Sequence, residues 1–103
     1  MERLPYISKD KNGIWTLYVH EKPYLMLAGE IHNSSSSSLE YMKKEVWEKI
    51  RGLHLNTLIA PITWETVEPE EGKFDFSLAE GIIRQARDEG MYLVLLWFGL
   101  WKN

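Results

Sequence analysis

The residues with the clearest chemical potential in this chain follow three short apolar runs, where each run gives way to polar sequence. Tryptophan rings offer flat apolar surfaces, and carboxylate, amide and imidazole groups offer hydrogen bonds to a polar ligand. The candidates of both kinds are Glu30, His32, Asn33, Trp64, Glu65, Trp97, Trp101 and Asn103. The sequence contains neither a metal-ligand spacing of His, Asp and Glu nor a Ser-His-Asp arrangement. We therefore expect ligand-binding residues, with no metal and no cofactor.

Two neighbouring features have simpler structural interpretations. Glu68 precedes Pro69 in a polar turn, where we expect it to brace the turn. The serine run Ser34–Ser38 predicts a solvent-exposed loop. Neither feature is therefore counted among the binding candidates.

The apolar runs that position these candidates are interpreted as strands. They begin at Tyr24, Thr57 and Met91 and recur about every 33 residues, which is close to the βα unit of an eight-fold barrel. Continuous apolar runs, rather than alternating ones, are typical of strands buried on both faces of a parallel sheet. Pro61 interrupts the second run, and we expect it near the carboxyl end, where strand pairing is already breaking.

The segments between these strands have the periodicity of amphipathic helices. Ser37–Glu40 and Ser77–Glu80 fit the S-x-x-E capping box that marks a helix start. Apolar residues recur at three- and four-residue spacing after the first box, up to Leu53, and after the second box, up to Ala86. Gly90 is placed to end the second helix in a left-handed conformation.

The order of elements predicts an α/β protein. The turn signal Asp10–Gly13 indicates an amino-terminal β-hairpin within residues 1–23, and residues 24–103 then follow the order β-α-β-α-β. We interpret residues 24–103 as the first three strands and two helices of an incomplete (β/α)8 TIM barrel. A flavodoxin-like sheet would have the same local pattern, but no glycine-rich phosphate loop follows any of the strands.

Composition excludes several classes of function. The net charge is −3 and no basic run occurs, which argues against nucleic-acid binding. The longest apolar stretch, Met91–Trp101, is too short to span a membrane. Met1–Pro5 lacks the apolar core of a signal peptide, so the sequence leaves the cellular compartment open. The absence of cysteine excludes disulfides.

Several of these segments resemble a known enzyme family. They are Gly29–Asn33, Leu55–Thr57, the W-x-x-x-E-P-x-x-G-x-F-D-F motif of Trp64–Phe76, and Ala86–Leu95. In this order and at this spacing they resemble the start of family 35 and family 42 β-galactosidases. Those enzymes are retaining glycosidases on a (β/α)8 barrel. The resemblance implies a β-galactoside or a related β-glycoside as the ligand.

The resemblance also implies where the reaction takes place. In this clan, the acid/base glutamate follows an asparagine at the end of the fourth strand, and the nucleophile ends the seventh strand. Retention requires those two carboxyls at about 5–5.5 Å from each other. A chain with three such strands contains neither, so we expect no catalytic residue in this chain and no activity from it alone. Its share would be part of the sugar-binding site.

The sequence departs from the family pattern at candidate positions. Asn33 stands where family 35 usually has tyrosine, and Glu65 where it usually has asparagine. His54 replaces a glycine expected in the left-handed conformation, which histidine tolerates better than most residues. These differences leave open a β-glycoside other than a galactoside, as in β-mannanase or cellulase-type barrels.

A second hypothesis belongs to another functional class, a free-standing, non-catalytic sugar-binding or assembly module.

The incomplete barrel has a consequence of its own. Three strands of an open barrel leave unpaired strand edges and an uncovered inner face, on which we expect Met26, Ile59 and Leu93 to lie near one another. We therefore expect the isolated chain to self-associate through its strand edges.

Overall fold

A computed structural model describes residues 3–32 and 34–99. The first elements form a three-stranded antiparallel sheet of β1 (Tyr6–Lys9), β2 (Trp15–Val19) and β3 (Lys22–Pro23). The predicted turn Asp10–Gly13 connects β1 and β2: the carboxylate of Asp10 accepts the Ile14 N–H at 2.9 Å, and Gly13 has φ +79°. The turn between β2 and β3 consists of His20 and Glu21, since Lys22 and Pro23 pair with β2.

The second sheet is parallel and has the order β4-β5-β6, with β4 (Ala28–Glu30), β5 (Thr57–Thr63) and β6 (Tyr92–Phe98). Helices lie between consecutive strands along the chain. The predicted mixed α/β class is therefore confirmed. β5 is the central strand and pairs with β6 along its whole length.

The first helical region runs from residue 39 to 53, as predicted, but its turns differ in type. A separate 3₁₀ turn, Ser35–Ser37, precedes it. The region itself consists of α1 (Leu39–Tyr41), a π-helical segment Met42–Val46, α2 (Trp47–Ile50) and a 3₁₀ turn Arg51–Leu53. The amino-terminal cap is Ser38, whose hydroxyl accepts the Tyr41 N–H at 3.2 Å. His54 follows the region with φ +56°, in the left-handed conformation expected of it.

Two helices lie between β5 and β6, the short α3 (Trp64–Val67) and the longer α4 (Ser77–Asp88). The capping box predicted for α4 does not form with Ser77 as the cap. The residue at the N-cap is Phe76, whose side chain makes no capping bond, and the carboxylate of the preceding Asp75 accepts the Ser77 N–H at 2.9 Å. Gly90 ends α4 with φ +69°, as predicted.

The hydrophobic core lies between the parallel sheet and the helices. β5 contributes Leu58, Ala60 and Ile62, and the helical residues packed against them are Met42, Val46, Trp47, Val67, Ile82 and Ala86. Polar bonds join the two helical regions, since the Trp47 indole donates to the Gln85 side chain at 2.8 Å. The Gln85 amide in turn donates to the Leu39 carbonyl at 3.0 Å.

The predicted buried strand at Tyr24–Ala28 is wrong. The strand begins only at Ala28, and Leu25, Met26 and Leu27 are exposed. The side chain of Asn56 bonds this segment: its amide accepts the Leu27 N–H and donates to the Leu25 carbonyl, at 2.9 and 2.8 Å. The Leu27 carbonyl in addition accepts the backbone N–H groups of Asn56 and Thr57, at 2.9 and 3.3 Å. Backbone groups paired in this way do not need a strand ladder.

Of two further positions predicted in the sheet, that of Leu93 is wrong and that of Pro61 agrees with the structure. Leu93 does not lie on the inner face, because it pairs with Leu58 and packs against the core. Pro61 lies in the carboxyl-terminal half of β5, as expected; pairing with β4 has already ended there, whereas pairing with β6 continues to Thr63. Proline is tolerated there because the backbone groups of Pro61, like those of Ile59, face the side of β4. β4 ends at Glu30, level with Ile59, so no β4 residue needs an N–H from Pro61.

Candidate functional site

The carboxyl ends of the parallel strands lie at one edge of the sheet, where ligands bind in open α/β folds. Glu30 ends β4, Trp64 directly follows β5, and Trp97 is next to last in β6. The edge therefore brings together three of the predicted candidates by the direction of their strands alone.

Trp64 has the best-defined geometry of the candidates. It begins α3, and its side chain is 48% exposed. Its indole N–H donates to Oε1 of Glu68 at 2.7 Å, and the backbone N–H of Gly72 donates to Oε2 of the same carboxylate at 2.7 Å. These two bonds, that from Trp64 first, lower the pKa of Glu68 below its usual value. The indole is thus held at the open edge by an ionised partner.

The acidic and imidazole candidates are accessible from solvent. Glu65 lies exposed in the first turn of α3, next to Trp64, and Glu30 and His32 are exposed around the end of β4. An open depression of about 850 Å³ lies at the end of β4, lined by Glu30, Ile31, His32, Ser34, Ser35, Ser38 and Tyr41. Its wall is rich in hydroxyl and carboxylate oxygens, which suits a ligand with several hydroxyl groups.

The serine run does not form the predicted exposed loop. Ser35–Ser37 is a 3₁₀ turn, and Ser36 is 1% exposed, with its hydroxyl donating to the Pro61 carbonyl. This bond ties the wall of the depression to the central strand. No local pattern in a run of five serines identifies which one is buried, so the sequence carried no signal for it.

Trp97 lies on a different face of the sheet from Glu30. Residues that pair in a parallel sheet point to the same face, and Trp97 pairs with Ile62, which faces the helices. Glu30 pairs with Ile59, on the opposite face. The structure therefore brings Trp97 to the same edge without bringing its ring next to Glu30. The candidates Asn33, Trp101 and Asn103 lie outside the described residues.

Within residues 3–32 and 34–99, no three His, Asp or Glu side chains form a group suited to a metal ion. None of the helices in those ranges is long and apolar enough to cross a membrane. What the edge offers is a tryptophan ring oriented by Glu68 and, at the end of β4, a depression lined by a carboxylate and hydroxyl groups. Such an arrangement can bind a polar ligand that has an apolar face.

Glu68 is the residue at this edge whose role was underestimated from the sequence. We expected it to brace a turn, which it does by accepting the Gly72 N–H. The additional bond to Trp64 follows from their four-residue separation, which brings two side chains to the same face of a helical turn. The sequence did not predict a short helix after β5, and without that helix the four-residue spacing of Trp64 and Glu68 does not indicate a contact.

Comparison with known proteins identifies relatives of the chain. Residues 16–97 match the family model of glycosyl hydrolases family 35. A β-galactosidase of Xanthomonas manihotis is 34% identical over 72% of this chain and 12% of its own length. The human β-galactosidase-1-like protein 2 is 28% identical over 79% of this chain and 13% of its length. β-Galactosidase 14 of Arabidopsis thaliana is 28% identical over 85% of this chain and 10% of its length.

A solved structure agrees on the fold. A family 39 glycoside hydrolase from Bacteroides cellulosilyticus WH2 superposes with a TM-score of 0.50 over 82% of this chain, at 15% identity. The match covers 18% of that protein. The chain thus spans a small part of each relative.

Proposed function

Because this chain belongs to family 35 of the glycosyl hydrolases, we propose that it forms the first three strands of a (β/α)8 barrel that hydrolyses terminal β-galactosides or related β-glycosides with retention. Membership implies a carbohydrate substrate. The parallel order β4-β5-β6 and the likeness to a family 39 hydrolase support the barrel. In this proposal residues 1–23 form the hairpin that leads into the barrel, and residues 24–103 belong to the barrel itself.

The activity belongs to a longer protein than this chain. The relatives named β-galactosidase are matched over 12% and 10% of their lengths. We infer that the acid/base and nucleophile carboxyls lie outside this chain, and that the chain alone is inactive. Its own contribution is the binding of the sugar.

The observation that carries this proposal is the Trp64 indole held at the carboxyl edge of the sheet. An indole face packs against the apolar C–H face of a pyranose, while the neighbouring carboxylates accept hydrogen bonds from hydroxyl groups. We assign the platform to Trp64 and the hydroxyl contacts to Glu30, His32 and Glu65. Asn33, Trp97, Trp101 and Asn103 are proposed as further contacts on the basis of their positions in the sequence.

Two assays of the pure chain test this proposal. We expect no turnover of an aryl β-galactoside above a mock preparation, and a weak, saturable perturbation of the Trp64 indole signal by methyl β-galactoside in nuclear magnetic resonance spectra. Turnover would contradict the inactivity of the chain. If no glycoside among galactoside, glucoside and mannoside perturbs Trp64, its assignment to the sugar site is wrong.

We also propose that the chain self-associates through β6. This strand has seven residues, Tyr92–Phe98, none of them charged, and it occupies one edge of the parallel sheet. Such an edge lacks the charges and prolines that prevent pairing with another strand. Light scattering should detect dimers or larger species at micromolar concentration, and Val94→Lys should shift the population to monomer. A monomeric wild-type chain would contradict this proposal.

A further inference from the structure

One carboxylate joins the proposed sugar platform to the turn that follows it. Glu68 accepts the indole N–H of Trp64 with one oxygen and the backbone N–H of Gly72 with the other, each at 2.7 Å. The turn itself is folded back on α3, since the Asp75 N–H donates to the Val67 carbonyl at 2.6 Å. The Glu68 carboxylate therefore binds both the Trp64 ring, which has a proposed role in sugar binding, and the backbone of the turn at Gly72, which has a structural role.

We propose that Glu68 is a positioning residue that sets the orientation of the Trp64 ring at the carboxyl edge of the sheet. The part of this inference that concerns sugar rests on the proposed function. The part that concerns the indole rests only on the two hydrogen bonds and on the exposure of the ring.

The chemistry of the contact requires an ionised carboxylate. Both partners of Glu68 are N–H donors, and a carboxylate is a pure acceptor with two oxygens. Glutamine has the same shape but only one acceptor oxygen, so its amide group would meet one of the donors with another donor. Hydrogen bonds to an ionised acceptor are also stronger than neutral ones, which favours a single ring orientation.

Packing does not hold the Trp64 ring in place by itself. Trp64 is 48% exposed, whereas Trp47 is 2% exposed and lies within the core. Trp47 also donates its indole N–H, to Gln85 at 2.8 Å, but the surrounding side chains restrict its ring independently of that bond. Loss of the Glu68 acceptor should therefore increase the motion of the Trp64 ring much more than loss of the Gln85 acceptor would increase that of the Trp47 ring.

The pKa of Glu68 agrees with this geometry. The bonds from Trp64 and from Gly72 lower it below the usual value for glutamate. Glu68 consequently stays ionised at neutral pH, and protonation on acidification weakens both bonds. The indole signal of Trp64 should follow this titration, at a midpoint below that of an ordinary glutamate.

The experiment uses the chain with ¹⁵N-labelled tryptophan, in which Trp64→Phe identifies the Trp64 indole signal. Glu68→Gln should shift that signal and remove its acid titration, while the Trp47 signal stays in place and reports an intact core. Glu70→Gln is the matched control, because Glu70 lies on the same turn and pairs with Lys73 at 3.3 Å. It should leave the Trp64 signal unchanged.

Binding of methyl β-galactoside forms the second arm. We expect Glu68→Gln to weaken the affinity about three- to ten-fold, as for the loss of one orienting hydrogen bond, and Glu70→Gln to leave it unchanged. An unchanged indole signal and titration in Glu68→Gln would overturn the inference. Should that variant fail to fold, the wild-type titration decides: a Trp64 signal that does not move on acidification overturns it as well.

The two arms separate the inference from the proposed function. A Trp64 indole that responds to Glu68→Gln supports the positioning role even if no sugar perturbs it. In that case the sugar site at Trp64 is what fails. Sugar binding with full affinity in Glu68→Gln would support the site and overturn the part of the inference that concerns sugar, while the indole signal decides the part that concerns the ring.

Discussion

The two ends of the parallel sheet differ in what their polar groups bind. At the amino end, the Tyr24 hydroxyl lies 2.6 Å from the Thr57 hydroxyl, and its ring meets Tyr92 edge-on with centroids 5.2 Å apart. Asn56 bonds the preceding backbone there. At the carboxyl end, Glu30, His32 and Trp64 are exposed.

The two ends of the sheet therefore contribute differently, the amino end to stability and the carboxyl end to groups that a ligand can reach. The polar groups of the amino end bind other groups of the chain, so they contribute to folding and are unsuited to a ligand. The carboxyl end directs a tryptophan and carboxylates to solvent, where a ligand can reach them. The same division, with stability at the amino face and function at the carboxyl face, holds for barrels of parallel strands.

The largest expected effect comes from removing the Asn56 amide. Asn56→Ala leaves the Leu25 carbonyl and the Leu27 N–H without their partner, and should lower the free energy of unfolding by about 2–3 kcal/mol in urea titrations. Asn12→Ala, an exposed amide of the β1–β2 turn, is the control and should change it by less than about 0.5 kcal/mol. Equal effects of the two substitutions would mean that the polar groups at the amino end of the sheet contribute no more to stability than an exposed turn residue does.

A smaller effect is expected from the Tyr24 hydroxyl. Tyr24→Phe keeps the ring contact with Tyr92 but removes the bond to Thr57, so we expect a loss of about 1 kcal/mol in the free energy of unfolding. Binding of methyl β-galactoside at the other end should not change. A change in affinity would mean that the two ends are coupled.

At the carboxyl end, substitution should act on binding rather than on stability. Trp64→Ala removes an exposed ring and should lower the free energy of unfolding by less than about 1 kcal/mol. Galactoside affinity should fall about ten-fold or more in the same variant, since the aromatic platform is lost. A stability loss as large as that of Asn56→Ala would show that Trp64 is a structural residue.

The smallest effect concerns the ion pair between Arg51 and Glu89, with N···O at 2.7 Å, where both groups lie near the surface. The hydrogen bond from Arg51 lowers the pKa of Glu89 below its ordinary value of 4.5. The pair therefore stabilises the fold above that value, and its contribution is lost as pH falls through the lower folded-state pKa. Glu89→Gln should cost at most about 0.5 kcal/mol at neutral pH, and less in high salt.

Much of the local structure could be predicted from neighbouring residues. A serine cap before the first helical region, the left-handed His54 and the stop at Gly90 depend on groups a few residues apart, which the sequence displays directly. The exact cap residues did not follow: Ser38 rather than Ser37 caps the first helical region, and Phe76 rather than Ser77 stands at the N-cap of α4. The cap is decided by the path of the chain into the helix.

The candidate site was predicted only in outline. The positions of Glu30, Trp64 and Trp97 after apolar runs were sufficient to bring them to one edge of the sheet. The face on which each side chain lies was not, since it depends on the register between strands: Trp97 pairs with Ile62 and Glu30 with Ile59. A shift of one residue in register reverses the face.

By itself, then, the sequence determined the family, the α/β class and the helical periodicities, because these depend on residue types at short spacing. Tertiary structure alone decided that the Asn56 side chain bonds the backbone of Leu25 and Leu27, that Pro61 fits inside β5, and that Ser36 is buried. Each of these depends on a partner more than twenty residues away. A backbone or hydroxyl group at these positions finds a hydrogen-bond partner only because the fold brings a residue distant in the sequence next to it.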